Sequence, residues 1–284
     1  MATFYNQATL SFGGNVVNSN TTEAELLSGL ELTKTAVTAT YSADGNVVYA
    51  VTLQNMGSST YSDLTVKDDL GAYTVGTTTV VPLTYVTGSV LYYINGVPQA
   101  APTVSAVGEL EFSGIDVPAG GTTTLIYEVQ ANGFAPLAAG STITNTASTD
   151  AGAGIGELTD TATVTVTEAP ELTIAKAVCP AVINDNGTIT YTIIVQNLGN
   201  VPIVATDGVI ISDLFNPVLT DITVTLNGTT LDVGTGYTYD TTTGAFATVD
   251  GVVTVPAATY VQDPTTGVIT TTPGVTVLTV SGTV

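Results

Sequence analysis

The sequence predicts an all-β protein: two tandem immunoglobulin-like (Ig-like) β-sandwich domains preceded by an N-terminal donor strand that belongs to neither. Three observations carry this reading. Short runs rich in Val, Ile, Thr and Tyr, punctuated by Gly, Asn, Asp and Pro, fill all 284 residues, the pattern of strands joined by tight turns. One set of landmarks recurs in the same order in both halves, as two copies of one domain would show. Finally, Phe4-Tyr5-Asn6-Gln7-Ala8-Thr9 reads like Ile143-Thr144-Asn145-Thr146-Ala147-Ser148, the last strand of the first repeat, and the second repeat shows no such segment before Val284. Residues 1–28 are therefore expected to be a donor-strand extension and linker, 29–168 the first domain, and 169–284 a second domain lacking its own last strand.

The extension reads as a small strand, a Gly/Asn-rich turn at 13–18 and a Thr/Glu-rich segment in which Glu23–Leu27 admits a helical turn. The same succession follows Asn145, with its turn at Gly152–Gly156. Asn6 precedes Lys34 by 28 residues (34 − 6) and Asn145 precedes Lys176 by 31 (176 − 145). The repeats then run in parallel. Leu32-Thr33-Lys34-Thr35-Ala36-Val37 answers Ile174-Ala175-Lys176-Ala177-Val178-Cys179. Tyr49-Ala50-Val51-Thr52-Leu53-Gln54-Asn55-Met56-Gly57 answers Tyr191-Thr192-Ile193-Ile194-Val195-Gln196-Asn197-Leu198-Gly199. Lysine and motif asparagine are 21 residues apart in both (55 − 34; 197 − 176). Asn95-Gly96 and Asn227-Gly228 are hairpin turns by their residue types, and Val117-Pro118-Ala119 answers Val255-Pro256-Ala257. Asp44-Gly45-Asn46 and Asp185-Asn186-Gly187 are also turns, because the ligand spacing of a calcium loop is missing.

Composition narrows the function. Net charge is −21, with no Arg, no His and only Lys34, Lys67 and Lys176 as cations. Phosphate binding needs clustered cations, so nucleic acid is not an expected partner. Without histidine there is no Ser-His-Asp or Cys-His chemistry and no ordinary zinc site; no metal and no cofactor are expected. No apolar run reaches the ~18 residues that span a bilayer, so membrane insertion is not expected. No charged-then-apolar leader precedes Thr3, so a leader has been removed or none is made. Cys179 is the single cysteine. It falls on the opposite strand face from Lys176 and is expected at the surface, as is Lys67. Asn-x-Thr triplets at Asn20, Asn186 and Asn227 arise by chance in a Thr-rich chain.

The two remaining lysines carry the chemistry. Residues i and i+2 share a strand face, so Lys34 lies in a row with Leu30, Leu32 and Ala36, and Lys176 with Leu172, Ile174 and Val178. An unpaired ammonium in a core row costs several kcal/mol, roughly. Asp68, between Val66 and Leu70, and Asp213, between Ile211 and Phe215, supply one inward carboxylate per repeat. Asn145 supplies an inward amide to the first repeat, and Phe4, Asn6, Ala8 and Leu10 form a matching row in the donor strand. Burial lowers a lysine pKa and raises that of a carboxyl. A neutral amine can then attack the Asn carboxamide while the Asp polarises its oxygen and shuttles protons; ammonia leaves and an amide joins the side chains. A Lys34–Asn145 link closes a loop of about 110 residues, which by analogy with disulfides constrains the unfolded chain by about 4–5 kcal/mol.

Taken together, "Leu-Thr-Lys-Thr", "Gln-Asn-x-Gly", "Val-x-Asp-x-Leu" and "Thr-Asn-Thr-Ala" resemble the bacterial surface-repeat family known as domain of unknown function eleven. The resemblance covers both repeats. It implies Ig-like modules on Gram-positive surfaces, similar to pilin and adhesin domains with Lys–Asn isopeptide bonds. Lys34, Asp68 and Asn145 match in full; Lys176 and Asp213 match but lack an Asn strand of their own.

The expected function is that of a structural subunit of an extracellular filament on a bacterial cell or spore surface. Its partner is another copy of the same chain, joined head to tail: strand Phe4–Leu10 completes the next subunit's second domain, and a Lys176–Asn6 bond locks the joint. Catalysis is limited to one autocatalytic turnover promoted by Asp68 and Asp213. The alternative is a monomeric adhesin or stalk module, although no loop clusters the aromatics that a sugar platform needs and the sequence names no host ligand. Other readings stay open: lysines that snorkel to solvent, an N-terminal strand folded back on its own chain, or a disordered tail. A hydrolase is disfavoured by the missing histidines.

Overall fold

The computed structural model describes residues 2–26, 29–150, 156–184 and 186–284 and is all-β apart from one 3-10 turn at Ala205–Asp207. The extension begins with four short strands, β1 (Ala2–Asn6), β2 (Thr9–Phe12), β3 (Asn15–Asn18) and β4 (Thr22–Leu26). β1 pairs β4 and β2 pairs β3, both antiparallel, so the segment is one long hairpin turning at Gly13-Gly14. Two expectations are corrected here. The turn is two residues rather than 13–18, and Thr22–Leu26 is a strand rather than a helical turn. The sequence Thr-Glu-Ala-Glu-Leu alternates with period 2, which suits a strand and not a 3.6-residue helix. Leu27 lies outside the described residues, as do residues 151–155 of the expected turn before Gly156, and Asp185.

The first sandwich comprises β5 (Leu30–Ala36), β6 (Thr40–Tyr41), β7 (Asn46–Asn55), β8 (Tyr61–Asp68), β9 (Tyr73–Val75), β10 (Thr78–Val80), β11 (Leu83–Tyr85), β12 (Leu91–Ile94), β13 (Val97–Pro98), β14 (Thr103–Ser105), β15 (Leu110–Val117), β16 (Thr122–Ala131), β17 (Thr142–Asp150) and β18 (Glu157–Val166). One sheet runs β13-β12-β16-β7-β5, with β11 also on β16; the other runs β14-β15-β8-β17-β18-β6. The inner faces alternate strictly. Val47, Tyr49, Val51 and Leu53 are buried from β7, Leu125, Tyr127 and Val129 from β16, Leu110, Phe112 and Ile115 from β15, and Ile143 and Ala147 from β17.

The second sandwich comprises β19 (Leu172–Cys179), β20 (Thr188–Asn197), β21 (Ser212–Leu214), β22 (Thr220–Leu226), β23 (Thr229–Thr230), β24 (Tyr237–Tyr239), β25 (Ala245–Thr248), β26 (Thr259–Gln262), β27 (Ile269–Thr272) and β28 (Gly274–Thr283). Its larger sheet, β23-β22-β28-β20-β19, repeats the order of the first domain's sheet strand for strand. Its other sheet holds only β24-β25-β21, the counterparts of β14-β15-β8. Among the described residues no strand pairs β21 as β17 pairs β8, so β21 is a sheet edge. The second core gathers Ile193, Val195, Ile211, Phe215, Leu219, Val224, Phe246, Leu278 and Val280. The described chain divides into two compact units, one drawn from residues 2–136, 142–165 and 264–267 and the other from 137–141, 166–263 and 268–284.

The Gln-Asn-x-Gly motif has a structural purpose. Asn55 is 1% exposed; its amide donates to the Ser59 and Val117 carbonyls at 2.8 and 3.1 Å and accepts the Gly57 N–H at 2.9 Å. Asn197 makes the equivalent bonds to Val201, Pro256 and Gly199. Each asparagine ties the end of a long strand to two loops. The Asn-Gly turns adopt the expected left-handed pair, with φ of 50° and 76° at Asn95-Gly96 and 49° and 80° at Asn227-Gly228. Asn55→Ala leaves two buried carbonyls and one N–H without their partner and is expected to cost about 2–4 kcal/mol, read by chemical denaturation.

Candidate functional site

In the first domain the topology brings the expected residues together. β5 carries Lys34, β8 ends on Asp68, and β17 carries Asn145, pairing β8 through Ala147↔Asp68, Ser148↔Lys67 and Thr149↔Val66. Lys34, Asp68 and Asn145 are 3%, 1% and 0% exposed, which makes this a dry polar cluster inside a sandwich core. Lys34 Nζ donates to Asp68 Oδ2 at 2.5 Å, and Asn145 Nδ2 donates to the same oxygen at 3.4 Å. Amine and amide therefore meet on one carboxylate oxygen.

Two further groups complete the site, and alignment of short motifs does not reveal them. Tyr127, on β16, donates its hydroxyl to Asp68 Oδ2. The Gly71 N–H donates to Asn145 Oδ1 at 3.1 Å and to Asp69 Oδ1 at 2.8 Å, while Leu70 N–H holds Asp68 Oδ1 at 2.8 Å. This corrects the expected division of labour. The carboxyl of Asp68 faces the amide nitrogen, and a backbone N–H donates to the amide oxygen. The chain turns sharply after β8, with φ of 53° at Leu70 and 72° at Gly71. A Cβ on Gly71 would lie 2.5 Å from Ile143 Cγ2, so glycine is needed there both for conformation and for the close approach of β17. The Asp69-Leu70-Gly71 turn and the inward row Leu125-Tyr127-Val129 were the sequence signals available. An open cavity of about 430 Å³ adjoins Gly71 and is lined by Asp69, Tyr73, Pro136, Ile143, Thr144 and Thr146 among others.

Burial governs the electrostatics. Desolvation pulls the Lys34 pKa below its ordinary 10.5, against the opposing attraction of Asp68. Desolvation, followed by the Asp68 charge, pushes Tyr127 well above 10.0. Tyr49 rises for the same two reasons, with the Asn145 amide opposing; its ring lies 4.8 Å from Lys34 Nζ, and its buried hydroxyl makes no hydrogen bond.

The second domain repeats half of this arrangement in the open. Lys176 Nζ pairs with Asp213 Oδ2 and sits 4.5 Å from the Tyr191 ring centroid, as Lys34 sits over Tyr49. The lysine side chain is 41% exposed, however, against 0% for Lys34. The expectation that Lys176 lies in a covered core row is thereby corrected. All of β19 is exposed, Leu172 by 41%, Ile174 by 65% and Val178 by 43%, whereas their counterparts Leu30 and Leu32 are 1% and 7% exposed. The cause is the missing cover described above. Val280 stands opposite Tyr191 where Tyr127 stands opposite Tyr49, so the phenol on the aspartate has no counterpart.

Asn6 is exposed on the N-terminal hairpin, opposite Thr22, and Phe4, Ala8 and Leu10 are exposed with it. Cys179 is free and exposed. Lys67 is at the surface and pairs with Glu109 and Glu111 at 3.4 and 3.0 Å. Among the described residues no group of three His, Cys, Asp or Glu is placed to hold a metal, and no helix is long and apolar enough to cross a membrane.

No family model matches the chain, that of the surface-repeat family included, and no curated protein matches it. Among solved structures it is similar to the pilus backbone RrgB of Streptococcus pneumoniae, at 11% identity and a TM-score of 0.34. That likeness covers 87% of this chain and 55% of the other, so the chain spans about half the length of that relative. It is also similar to the major pilin subunit BcpA of Bacillus cereus, at 11% identity and a TM-score of 0.35, over 95% and 73% of the two chains. A third likeness is to AvmM, which catalyses macrocyclisation in alchivemycin A biosynthesis, at 11% identity and a TM-score of 0.30, over 58% and 97%.

In Asn145→Ala the titration of the Lys34 amine is expected to appear in folding stability. With the folded pKa below 10.5, the unfolded chain binds the extra proton between the two values, so stability rises as pH climbs toward 10. Tyr127 and Tyr49, held above 10.0, act with the opposite sign beyond that point. Denaturation of Asn145→Ala as a function of pH is expected to rise and then turn over near 10, and the rise should vanish in Lys34→Met/Asn145→Ala. In the same background Lys34→Ala strands a buried carboxylate at about 3–5 kcal/mol, whereas Lys176→Ala, at a half-exposed pair, costs within about 1 kcal/mol.

Proposed function

We propose that this protein is a self-assembling structural subunit of an extracellular filament, in which the first strand of one copy completes the second domain of the next. One observation carries the reading. The same Lys–Asp pair occurs twice, once sealed by Asn145 on β17 and once uncovered beside an open sheet edge, while β1 carries Asn6 in the same residue pattern as β17. Strand addition to an open edge supplies main-chain hydrogen bonds and buries alternate side chains. A head-to-tail contact of this type propagates into fibres unless rotation closes it. An uncovered β21 edge and an uncovered β19 row are otherwise aggregation liabilities.

In the first domain the proposed chemistry is a single intramolecular transfer. Lys34 Nζ passes one proton to Asp68 and attacks Asn145 Cγ; the Nζ–Cγ bond forms as the Cγ–Nδ2 bond breaks. The remaining surplus Nζ proton reaches Nδ2 through Asp68, which lies against that nitrogen, and ammonia leaves. Gly71 N–H stabilises the developing charge on Oδ1. Burial favours the neutral amine, and the rigid site supplies proximity, so one slow turnover suffices. In the proposed joint, Lys176, Asp213 and another copy's Asn6 take the three roles. The surface of a bacterial cell or spore suits such a fibre.

Intact mass tests the chemistry: a chain with the first bond is about 17 Da lighter than its sequence, the mass of one ammonia, and Asn145→Ala restores the sequence mass. Denaturing gels test the joint. Wild-type assemblies are expected to resist detergent as ladders that Asn6→Ala and Lys176→Arg abolish; intact ladders from Asn6→Ala would sink the assignment.

A further inference from the structure

We infer that the donated element is the whole N-terminal hairpin, not a single strand, and that the second domain of another copy of this chain receives it as a two-strand unit in the places held by β17 and β18 in the first domain. The inference deepens the self-assembly reading and rests on it.

Through β1, as far as Asn6, the two hairpins correspond pair by pair; beyond Asn6 the N-terminal hairpin slips by one residue, Thr9 standing opposite Asn18, while β17 and β18 keep one register throughout. Asn6 stands opposite Thr22, 16 residues on (22 − 6), and Asn145 opposite Ala162, 17 residues on (162 − 145). One step back, Phe4↔Ala24 answers the buried pair Ile143↔Val164 on the same face. On the opposite face, Tyr5 donates its hydroxyl to Glu23 at 3.3 Å where Thr144 and Thr163 share a hydrogen bond at 3.0 Å. An outward polar pair and an inward apolar pair thus stand in the same places beside Asn6 and beside Asn145. The N-terminal hairpin nevertheless keeps its apolar side in solvent, with Phe4 55% and Leu10 63% exposed.

The acceptor needs two strands. A lone strand laid on β21 would occupy the place of β17 and pair only one edge. In the first domain it is β18, one strand further out, that reaches the other sheet: its Asp160 carboxylate accepts the Lys34 backbone N–H at 2.7 Å. Without that second strand, Leu172, Ile174 and Val178 of β19 stay uncovered. Carried across, the register sets Ala8, Thr9 and Leu10 against Asp213, Ser212 and Ile211, as Ala147, Ser148 and Thr149 lie against Asp68, Lys67 and Val66. Asn6 then arrives beside the Lys176–Asp213 pair, and β4 closes over β19 with Thr22 and Ala24 inward and Glu23 in solvent.

The test uses full-length chains. Ala24→Asp places a carboxylate on the inward face of β4 and leaves every residue of β1 and β2 unchanged; Glu23→Gln alters only the outward face. Sedimentation and negative-stain microscopy are expected to show no fibres from Ala24→Asp and wild-type fibres from Glu23→Gln. Ala24→Asp mixed with Ile174→Asp, which spoils the acceptor face, should give dimers and nothing longer, which also shows that each variant folds its intact half. Fibres from Ala24→Asp at the wild-type level would overturn the hairpin and leave donation by β1 alone. A wild-type chain that stays monomeric at every concentration would overturn the filament reading itself, and fibres from Phe4→Asp would overturn donation by the N-terminal segment.

Discussion

A buried ammonium must be compensated, and much of this molecule is organised around that requirement. In the first domain Lys34 lies in a core row, so a carboxylate has to meet it there, and Asp68 does so with four donors converging on its two oxygens. Such a cluster is tolerable only when every member is satisfied. That demands β17 against β8, a glycine where β17 crosses the turn after β8, and a phenol from the facing sheet. Removing one strand breaks the set.

The second domain shows what the pair becomes without that strand. Lys176 and Asp213 keep their places, set by β19 and β21, but the lysine is open to water and the apolar row beside it is bare. The sandwich has a core of its own, in which Ile193, Leu278 and Val224 of β20, β28 and β22 pack with Phe246 of β25. What is lacking is cover for one corner, and the donor we propose for it, the N-terminal hairpin, leaves Phe4, Tyr5 and Phe12 unburied.

The legibility of this protein in its sequence followed the range of the interactions. Strands, Asn-Gly turns and the repeat were readable because period 2 and turn chemistry are local. Lys34, Asp68 and Asn145 were readable because alternation assigns a face to each, and inward polar residues stand out among Val and Leu. Tyr127 was not, because an inward tyrosine looks like any core aromatic until the facing sheet is placed. Gly71 was not, because its N–H acts on a residue 74 positions away. The second strand of the hairpin was missed because the expected turn was placed over Glu23–Leu27, one residue out of phase with the alternation of Thr22–Leu26 that marks the strand.

The sequence by itself determined the all-β class, the duplication, and which polar side chains point inward, since these depend on neighbours two to four residues apart. Only the tertiary structure decided that Asp68 faces the nitrogen of Asn145 rather than its oxygen, that Lys34 is sealed while Lys176 is open, and that the N-terminal segment is a two-stranded hairpin. Each of those depends on which strands lie side by side across long stretches of chain, and strand order is set by the packing of two whole sheets rather than by any local pattern.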